Sequence, residues 1–112
     1  MENKFRYVYQ HEETGRIVMK IYYLEQIEYK DLYLPRYNLI ARDQFTGFHD
    51  IDGKEVYEND TDKDNYIVSY CNGENEGLGM SVGWYLQRDN FESWAELSSD
   101  CKLKITGNIY EK

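Results

Sequence analysis

The chain has 112 residues and carries 13 basic against 21 acidic side chains, a formal charge of -8. That length holds one domain with one hydrophobic core and leaves no room for a second core of normal size. Apolar runs stay far short of the roughly 20 residues that cross a bilayer, and the start Met1-Glu2-Asn3-Lys4-Phe5-Arg6 lacks an apolar signal core, so a soluble protein of the cytoplasm is expected.

Along the chain, Phe5, Tyr7 and Tyr9 alternate with Arg6 and Val8, Glu12-Glu13-Thr14-Gly15 is a turn signal, and residues 17–23 are rich in β-branched and aromatic types. This predicts a first hairpin. Residues 24–30 fit strand alternation through Ile27 and Tyr29, with a short helix through Leu24 and Ile27 as the alternative; a strand is expected. Pro35, the only proline, places a loop or a sheet edge before a strand at 37–41. Gly47 stands before an aromatic, where glycine marks a turn or a bulge. Asp52-Gly53, flanked by Phe48, Ile51, Val56 and Tyr57, predicts a tight hairpin with a two-residue type I′ loop.

Residues 60–65 are polar and predict a loop, 66–71 a strand, and 72–77 a turn of Asn, Gly and Glu. A strand follows at 78–86, with Gly79 and Gly83 introducing curvature. Residues 93–97 suit a strand or one helical turn. At 102–109, Leu103, Ile105 and Gly107 alternate with Lys102, Lys104 and Thr106, which predicts a closing strand. The fold class is therefore mostly β. Short strands, tight turns and internal glycines in the C-terminal part, 44–112, favour a small barrel, since closure removes exposed edges. The N-terminal β segment, 1–43, is expected to pack on it as one compact unit.

Charge divides the chain. Residues 1–46 hold seven basic and seven acidic side chains, whereas 47–112 hold six and fourteen, so the whole -8 lies in the second part. Such a surface repels phosphate backbones and steers basic partners toward it, which disfavours direct nucleic-acid binding. Seven of the twelve tyrosines, Tyr7, Tyr9, Tyr22, Tyr23, Tyr29, Tyr33 and Tyr37, precede residue 47, as half-buried strands require; tyrosine is also favoured at interfaces. Cys71 and Cys101 are too few for a disulfide framework or a zinc site and are expected to be free thiols.

Three segments carry a longer pattern. Lys4-Phe5-Arg6, then Thr46-Gly47-x-x-Asp50-x-x-Gly53-Lys54-Glu55-x-Tyr57-Glu58-x-Asp60, then Gly107-Asn108-Ile109-Tyr110-Glu111 together resemble the signature of the YopX protein family, small proteins of bacteriophages and prophages. The resemblance implies an SH3-type β-barrel in the C-terminal part and no assigned catalytic residue, the family having no established biochemical activity. Gly47, Asp50, Gly53, Lys54, Glu55, Tyr57, Asp60, Gly107, Asn108, Ile109 and Tyr110 match the motif; these types also make turns and cross-strand pairs, so a structural role is expected of them. The chain departs from the pattern at Asn59, where family members usually have glycine, and at Thr61, where an apolar residue normally opens the next strand.

Candidate chemistry is sparse. Asp60-Thr61-Asp62-Lys63-Asp64 opens like a calcium loop, but Asn65 stands where that loop needs glycine and Cys71 where it needs glutamate. His49 falls on the opposite strand face from Asp50 and Asp52, so no metal set forms. Glu92 and Glu96 would share a face only on a helix. No nucleophile elbow or phosphate-binding loop is present, and the expectation is a protein that is not an enzyme and needs no cofactor.

Two functions remain open. The first is a phage accessory protein in a bacterial host cell that binds a host or phage protein through an acidic, tyrosine-rich surface, in one version by mimicking phosphate charge. Trp84 and Trp94 would serve as anchors, with Asp62, Asp64, Glu74 and Glu76 supplying charge. The alternative is a nucleic-acid-associated small barrel drawing on Arg6, Arg16, Lys20, Arg36 and Arg42. Charge favours the first; oligomeric state is not encoded legibly.

Overall fold

The computed structural model describes residues 3–27, 34–71, 82–97 and 103–110. It is mostly β, as expected, with nine strands among the described residues arranged in two antiparallel sheets. The first sheet runs in the order β2-β1-β3-β4, from β1 (Lys4–His11), β2 (Ile17–Tyr23), β3 (Tyr37–His49) and β4 (Glu55–Tyr57). The second runs β8-β7-β6-β5-β9, from β5 (Asp60–Thr61), β6 (Ile67–Cys71), β7 (Gly83–Arg88), β8 (Ser93–Glu96) and β9 (Gly107–Asn108). No described strand pair closes either sheet on itself.

β1 is central, paired with β2 from Lys4↔Tyr23 to Gln10↔Ile17 and with β3 from Phe5↔Gln44 to His11↔Tyr37. It is buried on both faces: Arg6 and Val8 on one, Tyr7 and Tyr9 on the other. Past the last ladder pair, Lys4↔Tyr23, Leu24 N donates to Asn3 O at 2.8 Å, and residues 24–27 form a single helical turn, α1 (Leu24–Ile27), where a strand was expected. Pro35 sets up a tight turn in which Tyr37 N donates to Leu34 O at 3.1 Å with Arg36 at φ 66°, before β3 begins.

β3 is longer than the pattern suggested and serves two partners, β1 through its first half and β4 through its second. Gly47, at φ 88°, lies in a bulge, since the step from Phe45 to His49 is opposed only by that from Tyr57 to Glu55. Thr46 compensates inside the bulge: its hydroxyl donates to Val56 O at 2.7 Å and accepts from Phe48 N at 3.1 Å.

The β3–β4 loop is a hairpin, but its loop has three residues rather than two. Asp50 N donates to Lys54 O at 2.8 Å and Gly53 N to Asp50 O at 3.0 Å, and only Gly53 in this loop has positive φ, 81°. That is a turn closed by a glycine bulge, which the same Asp-Gly chemistry also serves. The β5–β6 loop repeats the device twelve residues on. Asp62 N donates to Tyr66 O and Asn65 N to Asp62 O, both at 3.1 Å, with Asn65 at φ 64° in place of glycine.

Residues 103–106, part of the expected closing strand, keep the predicted burial alternation, with Leu103 and Ile105 inside, but only Gly107–Asn108 joins a ladder. The backbone of the rest is satisfied elsewhere: Ile51 N donates to Leu103 O and Thr106 N to Thr61 O. The main core contains Val56, Val68, Leu86, Leu97, Leu103 and Ile105, so β4 of the first sheet and β6 and β7 of the second bury into one cluster. Each such side chain contributes roughly 1.5–3 kcal/mol when removed from water. The expected turn at 72–77, the first part of the strand at 78–86, and Cys101 lie outside the described residues; Cys71 is buried and free.

Candidate functional site

The motif residues converge on a buried ionic interlock. Arg6 donates to Asp43 Oδ2 through Nη2 at 2.9 Å and Nε at 3.3 Å, to Asp60 Oδ1 through Nη1 at 2.5 Å, and to Glu58 O at 3.1 Å. Asp43 Oδ1 accepts from Asn59 Nδ2 and from the Tyr110 hydroxyl, both at 2.9 Å, and Asp60 Oδ2 accepts from Tyr57 N at 2.8 Å. Both carboxylates are 1 % exposed. A buried ion pair holds only when its carboxylate oxygens find donors, and here each of the four oxygens does. Burial alone would lower the Arg6 pKa, but the two carboxylates outweigh it and raise it; burial pushes Asp60 up against the pull of Arg6.

Asn59 adopts φ 69° and uses its amide to reach both Asp43 and Tyr110. Asparagine tolerates that conformation better than most residues with a Cβ, so this position keeps the turn and gains two side-chain bonds. Asp50 is a second anchor. Its carboxylate accepts from Asp52 N and Lys54 N at 2.9 Å and from Ile105 N at 3.0 Å, which ties the β3–β4 loop to the C-terminal segment. Burial works to raise its pKa, but these three backbone donors prevail and lower it.

Between the two sheets lies a cleft of about 840 Å³. Its walls are aromatic, from Tyr23, Phe45, Phe48 and Trp84, and its polar groups are Lys4, His49, Glu55 and Glu96. The Gly47 bulge brings Phe48 and His49 to this side, while β7 and β8 bring Trp84 and Glu96 from the other sheet. Lys4, nearly buried, forms an ion pair with Glu55 and sits 4.6 Å from the Phe45 ring and 5.5 Å from the Tyr23 ring. The hydrogen bond from Lys4 leads the causes that lower the Glu55 pKa; the Tyr57 hydroxyl, at 3.1 Å, adds to it. This is the chemistry of cation recognition, with the chain's own lysine as occupant of one part.

A smaller hollow, about 230 Å³, is bounded by Asp62, Asp64, Tyr66, Leu86, Trp94 and Ala95. Thus Asp62, Asp64 and Trp94 come together, whereas Trp84 lines the cleft and packs against the main core. Glu74 and Glu76, with Tyr29 and Tyr33, lie outside the described residues. Asp62 is less a free charge than its sequence position suggests, because one oxygen accepts from Asp64 N and Tyr66 N. Glu92 stands in the turn before β8 and Glu96 within the strand, so no helical face joins them. Of the tyrosines, Tyr7, Tyr9, Tyr57 and Tyr85 are core residues, and Tyr23 and Tyr70 are exposed.

Among the remaining motif positions, Gly107 and Asn108 pair with Thr61 and Asp60, and Ile109 N donates to Asn59 O at 3.1 Å. Sequence reasoning missed Lys4, Phe45, His49, Glu55 and Glu96 as a spatial set, because they come from four separate strands, and it missed Asp43 as the partner of Arg6. It also assigned Arg6 to a surface role, whereas that side chain is buried and consumed by Asp43 and Asp60. Among the described residues no three His, Cys, Asp or Glu side chains are placed to hold a metal ion, and no helix is long and apolar enough to cross a membrane. Comparison with protein-family models, with curated proteins and with solved structures finds no match to this chain.

Proposed function

We propose that this chain is a YopX-like phage or prophage accessory protein, a non-enzymatic module that binds a basic host or phage protein through its acidic, aromatic surface. The carrying observation is the cleft between the sheets, where Phe48, Trp84 and Glu96 stand beside Tyr23, Phe45 and Glu55, the three groups that Lys4 already engages. Aromatic walls with carboxylates at the rim suit a lysine or arginine side chain, and the charge of -8 draws such a partner in. In its strongest form the module occupies the phosphate-binding face of a nucleic-acid-binding protein.

The proposal includes the fold of the C-terminal part. Strand β4, the second half of β3 and the five-stranded sheet form the SH3-type small barrel that the resemblance implies. The core shared by Val56, Val68, Leu86 and Ile105 supports it. The burial of Arg6 supports a protein partner over nucleic acid, since the alternative loses one of its cations.

Capture from a bacterial host lysate tests the reading, with wild type beside a variant carrying Glu55→Gln, Glu96→Gln, Asp62→Asn and Asp64→Asn. Basic proteins held by the wild type should drop out with the variant; the same partners on both would overturn electrostatic recognition. A salt titration with single- and double-stranded DNA is the companion measurement. Tight binding that weakens steeply with salt reports phosphate contacts and would establish the nucleic-acid reading instead.

A further inference from the structure

β8 is the outer strand of the five-stranded sheet, and among the described residues its ladder partner is β7. The register determines which backbone groups it turns outward. Leu97 N donates to Trp84 O at 3.0 Å, and hydrogen-bonded pairs alternate along an antiparallel ladder. Ser93 and Ala95 therefore direct their N–H and C=O groups toward β7, while Trp94 and Glu96 direct theirs away.

Sheet edges are normally guarded by lysine, proline, a bulge or extreme shortness. β2 carries Lys20 in mid-strand, and β4 and β9 have only three and two residues. β8, Ser93-Trp94-Ala95-Glu96, is itself short and carries one charge, Glu96, but it has no lysine, proline or bulge, and Trp94 is 39 % exposed. It touches two separate hollows: its last residue Glu96 and the following Leu97 line the large cleft, and its middle residues Trp94 and Ala95 line the smaller one. Each hollow pairs an aromatic wall with carboxylates, Glu55 and Glu96 in one, Asp62 and Asp64 in the other. The large cleft also seats one of the chain's own cations on a ring, Lys4 over Phe45 at 4.6 Å, and Tyr66 of the smaller hollow carries Arg88 over its ring at 4.9 Å.

We propose that β8 is a docking edge that accepts an extended, basic segment of a partner protein as an added strand. Outward N–H and C=O groups of Trp94 and Glu96 bond its backbone, and lysine or arginine side chains at alternate positions reach the two hollows. A strand advances ~3.3 Å per residue, so positions two to four apart match the separation of the ends of this short strand. Charge complementarity selects the occupant, because the -8 resides wholly in residues 47–112. This inference rests on the protein-binding reading and specifies its mode.

Fluorescence anisotropy on the intact protein tests it with four octapeptides: alternating Lys-Val, two versions of it N-methylated at every second amide, one in each phase, and alternating Glu-Val. The basic peptide should bind, the acidic one should not, and methylation in one phase should weaken binding about tenfold, the worth of one or two backbone hydrogen bonds. Glu96→Pro removes an outward N–H and leaves the β7 ladder, so it should produce a similar loss, with Glu96→Gln separating charge from backbone. Slowed amide exchange at Trp94 and Glu96 on binding is the positional signature.

Binding of the basic peptide that ignores both methylation phases and Glu96→Pro overturns the docking edge while leaving the protein-binding reading intact. Absence of binding by any basic peptide overturns both. Concentration-dependent dimerisation that protects β8 without peptide names a second copy as occupant and overturns the proposal. If circular dichroism shows Glu96→Pro unfolded, the methylated peptides against wild type decide.

Discussion

Replacing Arg6 by methionine leaves a side chain of similar length but strands two carboxylates, Asp43 and Asp60, each 1 % exposed. Four hydrogen bonds from the guanidinium disappear, two to Asp43, one to Asp60 and one to Glu58 O. Removing one partner from a buried ionic set costs about 3–5 kcal/mol, a large share of the roughly 5–15 kcal/mol that holds a domain folded. Urea unfolding followed by the fluorescence of Trp84 and Trp94 measures the loss, and pH supplies a second check. Asp60 already has a raised pKa in the folded state, and without Arg6 it rises further. A raised carboxyl contributes stability below its unfolded pKa, near 4, and loses it as pH climbs through the folded value. The methionine variant should therefore be closer to wild type at pH 4 than at pH 7. A loss below about 1 kcal/mol at pH 7, or an equal loss at both pH values, would refute the interlock.

Other variants follow from the same geometry. Asp50→Ala, which removes an acceptor of three backbone donors, should cost about 3 kcal/mol by urea unfolding, while Asp62→Ala, which removes two at a more exposed loop, should cost about 1. Asp50 and Glu55 have lowered pKa values, so both contribute stability above their unfolded pKa that is lost as pH falls through the folded one. Glu55→Gln should accordingly flatten the acid limb of a stability-against-pH curve; an unchanged limb would discount the Lys4 pair. Asn59→Gly retains the positive φ and loses two side-chain bonds, whereas Asn59→Ala also meets backbone strain, so alanine should be the less stable by about 1 kcal/mol.

The elements that depend on local chemistry were legible. The first hairpin and a reversal at Asp52-Gly53 follow from alternation and from which residues accept positive φ, whereas at Gly47, where a turn or a bulge was open, β3 runs through as a bulge. The loop type was misjudged because Asp-Gly serves both a two-residue turn and a three-residue loop, and the choice depends on the strand register. Residues 24–27 take the helical alternative that Leu24 and Ile27 offer rather than the expected strand, because the ladder with β1 ends at Lys4↔Tyr23, a nonlocal fact that alternation does not encode. Arg6 shows the limit most clearly. Its place in an alternating strand suggested solvent, yet β1 is buried on both faces, and the carboxylates that make burial tolerable stand 37 and 54 residues away.

The cleft was harder to foresee than the fold. Trp84 was identified by type, but Glu55, His49 and Glu96 join it only because the bulge in β3 and the pairing of β7 with β8 bring four segments together. Trp94, Asp62 and Asp64, chosen separately for ring and charge, share the second hollow because β8 passes beside the β5–β6 loop.

The most direct measurement is a nitrogen-15 NMR titration of the intact protein with the alternating Lys-Val octapeptide, in parallel with a single-stranded oligonucleotide. The binding account predicts peptide-induced shifts concentrated at Phe48, His49, Trp84, Trp94, Glu96 and Leu97, fading as salt rises, and no comparable response to the oligonucleotide. Shifts confined to β2 and Arg42, or a response to the oligonucleotide in place of the peptide, would contradict it.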